Sequence, residues 1–464
     1  MTLSAIKDNK YNETSNLSGN YLKKLKKLLE SELDFHNFSS NYGAHNFHSF
    51  PAKFPPQLPK KFIEELTEIN EVVLDPMAGS GTTVLEAMIN NRTAIGFDID
   101  PLSLMIMEVK TSNYSKKELV DSFNEIISKS TSLLMKGQDL YKELFYKLDT
   151  KTEDFIKYWF LESTTKELFA LSKSILTIKN EKIRRFFKVI FSSIIITKSG
   201  GVSLALDLAH TRPHRAKKVF DFNSDLVFDF GKYKENPRHH ILSKKIKSPL
   251  NEFRKKFFQN IQLIFTENMK NKPRIEYADS QNLPLSENVI DLIVTSPPYA
   301  SNAIDYMRAH KFSLLWFDYT VDNLKDQRAK YIGSDSTSNF LFEKMPPFTE
   351  DIIQNLYEKN PKKSLVLHRY YSEMKRVLKE FLRVLKPNKA AIVVVGNSTL
   401  SGVKSETHLC LKEIGEEIGF QIPGIAIRKL DRNRRMMPAV LQKNNSSQIL
   451  QRMNEEYVIG FYKH

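Results

Sequence analysis

Thr295-Ser296-Pro297-Pro298-Tyr299 brings hydroxyls, two residues without a backbone N–H and an aromatic ring into one short span. The apolar run Val289-Ile290-Asp291-Leu292-Ile293-Val294 ahead of it reads as a buried parallel strand. Consecutive prolines cannot continue a central strand, so the chain leaves the sheet here in a stiff turn. That turn falls at a carboxyl end, where open α/β sheets place their ligands. A serine hydroxyl, free backbone carbonyls and a ring are suited to holding a planar base by its exocyclic amino group. The same residues also make an ordinary loop, since Ser, Pro and Tyr are common in turns.

A second segment weighs on that choice. Val72-Val73-Leu74-Asp75 reads as a short strand running into Pro76-Met77-Ala78-Gly79-Ser80-Gly81-Thr82-Thr83, followed by the helical stretch Val84–Ile89. Gly79 and Gly81 allow tight geometry and close approach of a ligand, and a helix N-terminus offers free amides. The strand Ala94–Phe97 then ends at Asp98, nineteen residues after Gly79. An acid there suits ribose hydroxyls. Strand, glycine turn, helix, strand and acid in this order imply a nucleoside cofactor.

Together these segments resemble the S-adenosylmethionine-dependent amino-methyltransferases of DNA, the N4/N6 DNA methylase family, and in the TSPPY motif its cytosine-N4-specific type. Two further matches are His48–Phe54, which looks like the segment covering the methionine end of the cofactor, and Asp279, sixteen residues before Thr295. The resemblance implies an α/β fold: a Rossmann-like seven-stranded methyltransferase sheet, mostly parallel, with an antiparallel C-terminal strand and a large, mainly helical insertion. It assigns Phe54, Asp75, Pro76, Gly79, Gly81, Thr82, Asp98, Asp279 and Thr295 to S-adenosyl-L-methionine. Ser296, Pro297, Pro298 and Tyr299 become the catalytic turn. Ser296 and the Pro297 carbonyl would accept the amino hydrogens, and Tyr299 would stack on a base flipped out of double-stranded DNA.

Composition agrees with such a partner. The 464 residues carry 69 Lys and Arg against 54 Asp and Glu, a net charge of +15 that suits a phosphate-rich ligand or reflects lysine-rich usage. Cys410 is the single cysteine, so neither a disulfide framework nor a thiolate zinc cluster is available. Methylation at carbon 5 of cytosine, which needs a thiolate nucleophile beside the turn, is excluded. The eleven His form no HExxH pattern, and no metal is expected. No apolar stretch of membrane-spanning length and no signal-peptide core occur, so a cytoplasmic, nucleoid-associated protein of bacterial or archaeal type is expected.

The elements that must position these residues divide the chain. Residues 1–40 read as a basic helical extension, with Tyr21–Leu29 amphipathic and packing on the core. Residues 41–112 plus 271–464 read as the methyltransferase domain. Between them, about 160 residues are too many for a crossover loop, and 113–270 read as an inserted helical domain for target recognition. Its helices are expected over Lys117–Met135, Thr152–Leu176 and Lys182–Thr197. Basic runs at Arg212–Lys218, Lys244–Lys247 and Arg254–Lys256 make either a solvated face or a DNA-binding one. Arg212, Arg215 and Lys217, with Arg308 and the loop residues Arg432, Arg434 and Arg435, are the candidate nucleic-acid contacts. Asp318–Phe348 reads as polar and irregular, and Lys386-Pro387-Asn388-Lys389 as a turn between the helix Tyr370–Leu385 and the strand Ala390–Val395.

The cofactor loop precedes the catalytic turn by more than 200 residues, an order resembling adenine-N6 enzymes. Adenine N6 therefore stays open as the acceptor, as does an RNA base amine, and outside enzymes a cofactor-sensing DNA-binding module. A modification enzyme of a restriction-modification system, beside a separate cognate endonuclease, is the favoured setting.

Overall fold

The computed structural model describes residues 20–50, 53–136, 139–208, 213–230, 242–265, 271–300, 305–430 and 455–464. In chain order its strands are β1 (Val72–Asp75), β2 (Thr93–Asp98), β3 (Lys218–Phe220), β4 (Leu226–Asp229), β5 (Ser243–Lys245), β6 (Arg274–Tyr277) and β7 (Ile290–Thr295). After them come β8 (Leu385–Gly396), the small hairpin β9 (Thr399–Leu400) and β10 (Val403–Lys404), β11 (Gln421–Lys429) and β12 (Glu455–Tyr462). Seven form the central sheet in the order β11-β12-β8-β7-β1-β2-β6. Only β12 runs antiparallel to its neighbours in that sheet. The chain winds outward from β1 through β2 to β6, then returns to β7 on the other side of β1. The carboxyl ends of β1 and β7 thus flank the switch point where such sheets bind ligands.

Helices cover both faces because the central strands are apolar on both. Along β7 and β8, Leu292, Val294, Ile392 and Val394 pack with α1 (residues 20–30) and α2 (Gln57–Leu66). Ile293, Val393 and Val395 point the other way, a period of two. They meet the long helix that follows residue 360, through Tyr370, Met374, Val377 and Phe381. Leu25 and Leu29 of α1 are buried, as its amphipathic pattern implied.

The first half of the domain continues with α3 (Thr82–Ile89) and α4 (Pro101–Thr111). The segment after α4 carries α5 (Lys116–Met135), α6 (Leu140–Tyr146), α7 (Thr150–Trp159), α8 (Glu162–Leu176), α9 (Glu181–Ile195) and α10 (Pro249–Asn260). Their buried residues form one cluster with Leu102 and Ile106 of α4 and with Phe312 and Trp316. The sheet β4-β3-β5 also belongs to this segment. Beyond β7 lie α11 (Tyr306–Leu314), α12 (Val321–Ala329), α13 (Pro347–Lys359), α14 (Pro361–Val384) and α15 (Thr407–Ile418).

Three local expectations need correction. The single helix over Thr152–Leu176 is two, because Phe160 and Leu161 take extended backbone. Phe160 is thereby buried, edge-on to Trp316. The irregular span 318–348 contains α12, whose first turn is capped by the Thr320 hydroxyl; Leu324 is its one buried residue, so no apolar stripe announced it. Lys386–Lys389 is not a turn outside the sheet but a bulge within β8. Leu385 pairs with Ile290 and Ala390 with Leu292, and Asn388 takes φ 62°. The bulge brings Lys386 and Lys389 to the buried Asp291, at 2.8 and 3.5 Å, which a buried carboxylate requires.

Candidate active site

The two chemical segments of the sequence leave adjacent strands. Val73 and Leu74 of β1 pair with Leu292 and Ile293 of β7, so Asp75 and Thr295 end their strands side by side. The Thr295 hydroxyl donates to Asp75 Oδ1 at 2.7 Å, and the Met77 N–H donates to the same oxygen at 3.2 Å. Desolvation pushes the Asp75 carboxyl up to about 6, against the lowering effect of these donors. After Asp75 the loop turns through Gly79 and Gly81, at φ +50° and +74°, where glycine is favoured.

Asp98 closes the loop from β2. Its Oδ2 accepts the Gly79 N–H at 2.7 Å and its Oδ1 the Asp100 N–H at 2.8 Å. Desolvation, then the neighbouring Asp100, push the Asp98 carboxyl up to about 7. Asp100 is buried and caps α4 through the Leu102 and Ser103 amides. It also accepts from the Tyr331 hydroxyl at 2.5 Å and lies 2.8 Å from His310 Nδ1. His310, with the other contacts, holds the Asp100 carboxyl below its ordinary value although desolvation raises it.

These residues surround a cavity of about 890 Å³, counting its open mouth. Phe54, Asp75, Pro76, Gly79, Thr82, Asp98, Asp279, Ser296 and Pro298 line it together. Four of the residues expected at the cofactor loop and the turn are not in its lining. Gly81 is the left-handed N-cap of α3, and Thr295 is buried behind Asp75. Pro297 is buried in the turn, and the Tyr299 hydroxyl donates to Glu456 Oε1 at 2.9 Å. Lining residues that the motifs do not name include Phe50, Lys53, Asp100, Tyr306 and Tyr331. Phe50 and Lys53 lie in the segment 48–54 with Phe54, the residue of that segment that the resemblance assigns to the cofactor. Tyr331 comes from the span read as irregular, and its bond to Asp100 crosses 231 residues. No local pattern foretells that contact.

A family model described as DNA methylase, for the N6/N4 enzymes, matches residues 4–108, the span that holds the cofactor loop and Asp98. The chain is 23% identical over 398 residues to the Type II methyltransferase M.MvaI of Kocuria varians, covering 82% of this chain and 83% of that one. To M.BsoBI of Geobacillus stearothermophilus it is 21% identical over 431 residues, covering 82% and 80%. Residues 4–108 thus resemble the N4/N6 DNA methylases, and over most of its length the chain is similar to Type II methyltransferases. M.MjaII of Methanocaldococcus jannaschii is 33% identical to this chain over 120 residues, covering 25% of this chain and 22% of its own.

The cofactor is S-adenosylmethionine, and the cavity fits such a group. Ser80 Oγ is buried with no hydrogen-bond partner among the described residues, and Ser80 lines the wall. A Cβ on Gly79 would lie 3.2 Å from the Phe50 ring, so the loop is as tight as glycine permits. Carboxylates stand at the ends of separate strands, Asp98 as the last residue of β2 and Asp279 just past β6.

The candidate DNA contacts are scattered. Lys217 is exposed. The Arg215 guanidinium lies over the Tyr158 and Phe228 rings, 4.8 and 5.0 Å from their centroids. Arg308 pairs with Asp305 at 2.6 Å. Arg212, Arg432, Arg434 and Arg435 fall outside the described residues. In the second basic run, Lys244 is turned inward: its ammonium donates to the Ser199 and Ala205 carbonyls, and desolvation lowers it to about 7. No described helix is long and apolar enough to cross a membrane.

Proposed function

We propose that the protein is a DNA methylase that transfers the methyl group of S-adenosylmethionine to the N4 amine of a cytosine flipped out of double-stranded DNA, as the modification partner of a separate restriction endonuclease. One observation carries this reading: Ser296 and Pro298 of the turn line the same cavity as Gly79, Asp98 and Asp279 of the cofactor walls. Acceptor and donor sites that share a cavity meet the first demand of group transfer.

When bound, S-adenosylmethionine supplies a methyl group on an activated sulfonium. Asp98 would hold ribose hydroxyls and Asp279 the adenine edge. The cytosine amine is a poor nucleophile because its lone pair is delocalised into the ring. Ser296 Oγ and the Pro297 carbonyl would accept its two hydrogens, drawing the lone pair out of conjugation and aiming it at the methyl group. Positioning and electrostatics then do most of the work, and no strong base is needed before attack. Tyr299 would stack on the base, offsetting the few kcal/mol that flipping costs. Residues 113–270 would read the target, with Arg215 and Lys217 on that side.

Mass spectrometry of nucleosides from DNA incubated with protein and cofactor tests the proposal. N4-methylcytosine is expected. The order of the two motifs favours a second reading, adenine N6, and N6-methyladenine would replace the first with it. Modified RNA with unmodified DNA would overturn both.

A further inference from the structure

Tyr299 ends the catalytic turn, and the far end of its ring is tethered. Its hydroxyl donates to Glu456 Oε1 at 2.9 Å, across 157 residues. The other oxygen, Oε2, accepts from Arg428 Nη1. Arg428 and Glu456 stand opposite each other on β11 and β12, and Glu456 stands opposite Gly396 at the end of β8. The carboxylate is 12% exposed and the guanidinium 9%. Tyr299 reaches it from β7, which lies beyond β8, so the tether spans the carboxyl end of the intervening strand. Burial, and then the Glu456 charge, raise the phenol well above its ordinary value, and it stays a donor at neutral pH.

A tyrosine ring has two side-chain torsions. Its backbone end is held by the prolines of the turn, and a hydrogen bond at the para oxygen restrains both torsions. We propose that Glu456, oriented by Arg428, is a positioning residue that sets the plane of the Tyr299 ring for the base. This rests on the proposed role of the turn in amine methylation. Its effect is preorganisation: the ring's orientation is settled before the base arrives.

The test compares full-length wild type with Glu456→Ala, Glu456→Gln, Tyr299→Phe and the double variant Tyr299→Phe/Glu456→Ala. Single-turnover transfer of labelled methyl to unmethylated genomic DNA is measured beside the Kd for S-adenosylmethionine and the Tm. Glu456→Ala and Tyr299→Phe are each expected to slow transfer about 10-fold with unchanged cofactor affinity. Glu456→Gln keeps one oxygen for the phenol but sets an NH2 against the Arg428 donor, and its rate is expected to lie between those of wild type and Glu456→Ala. The double variant is expected to be no slower than either single one. A wild-type rate in Glu456→Ala overturns the inference, and so do multiplying losses in the double variant. Should Glu456→Ala not fold, Tyr299→Phe at the wild-type rate overturns it equally. If the wild type methylates RNA instead of DNA, the substrate reading fails, while the same variants on RNA still decide the role of Glu456. Absence of any transfer by the wild type overturns both.

Discussion

Thr295 Oγ1 donates to Asp75 Oδ1 at 2.7 Å, tying the Ser-Pro-Pro-Tyr turn to the glycine loop across 220 residues of chain. Both groups are buried, and their strands are hydrogen-bonded neighbours. Thr295→Val keeps the shape but strips a buried carboxylate of its shortest donor. A loss of about 1–3 kcal/mol is expected in denaturant unfolding, together with weaker cofactor binding. Stability within about 0.5 kcal/mol of wild type would show that the contact is dispensable.

Gly81 couples the loop to α4. At φ +74° a side chain is strained, and a Cβ would lie 2.6 Å from Met107 Cγ. Gly81→Ala should cost about 1–3 kcal/mol. Cofactor affinity should fall with it, because relief of the clash moves the turn that begins α3. Calorimetric unfolding with and without S-adenosylmethionine separates the two effects.

Asp98 gives a pH dependence of defined sign. Its carboxyl is raised to about 7 when folded, against about 4 in an unfolded chain. The folded state therefore retains a proton that the unfolded state releases, and this contribution is lost as pH rises through about 7. The Tm of wild type should fall relative to that of Asp98→Asn between about pH 4 and pH 7 and change no further above it. The variant should also bind S-adenosylmethionine about 10-fold more weakly, since it loses an acceptor for the ribose. Parallel Tm profiles would refute the assignment of this titration to Asp98.

Ser296→Ala should lower the transfer rate about 100-fold while leaving the cofactor Kd near that of wild type. Tyr299→Ala, which removes the stacking ring, should do the same. Titration calorimetry and single-turnover methylation make the comparison, and near-normal rates in both variants would place the chemistry elsewhere.

The basic runs of the insertion separate by burial. Lys217 is exposed, and Lys217→Ala should weaken DNA binding and reduce its salt slope by about 0.9 with an unchanged Tm. Lys244 holds two backbone carbonyls inside the fold, so Lys244→Ala should lower Tm instead. A salt slope altered by Lys244→Ala and not by Lys217→Ala would reverse the assignment.

Much of the sheet was legible in advance because its strands are short apolar runs bounded by glycine, proline and acid. Val72–Asp75, Thr93–Asp98 and Ile290–Thr295 needed only period and punctuation. The element α12 was not legible, because one buried leucine makes no stripe. Nor was the break at Phe160, since the ring is drawn out of a continuous helical pattern to meet Trp316.

The sequence by itself determined the local chemistry: a glycine turn after a strand, an acid after the next, and a Ser-Pro-Pro-Tyr turn after a third. Each depends on residues a few positions apart, whose backbone preferences act without the rest of the chain. Tertiary structure alone decided how they meet. Strand order set β7 against β1, so Thr295 reaches Asp75 and Ser296 faces the cavity of Asp98. The tether from Tyr299 to Glu456 and the bond from Tyr331 to Asp100 were likewise decided by folding. Such contacts join residues separated by 157 and 231 positions. Their partners are selected by burial and sheet register, which no local pattern encodes.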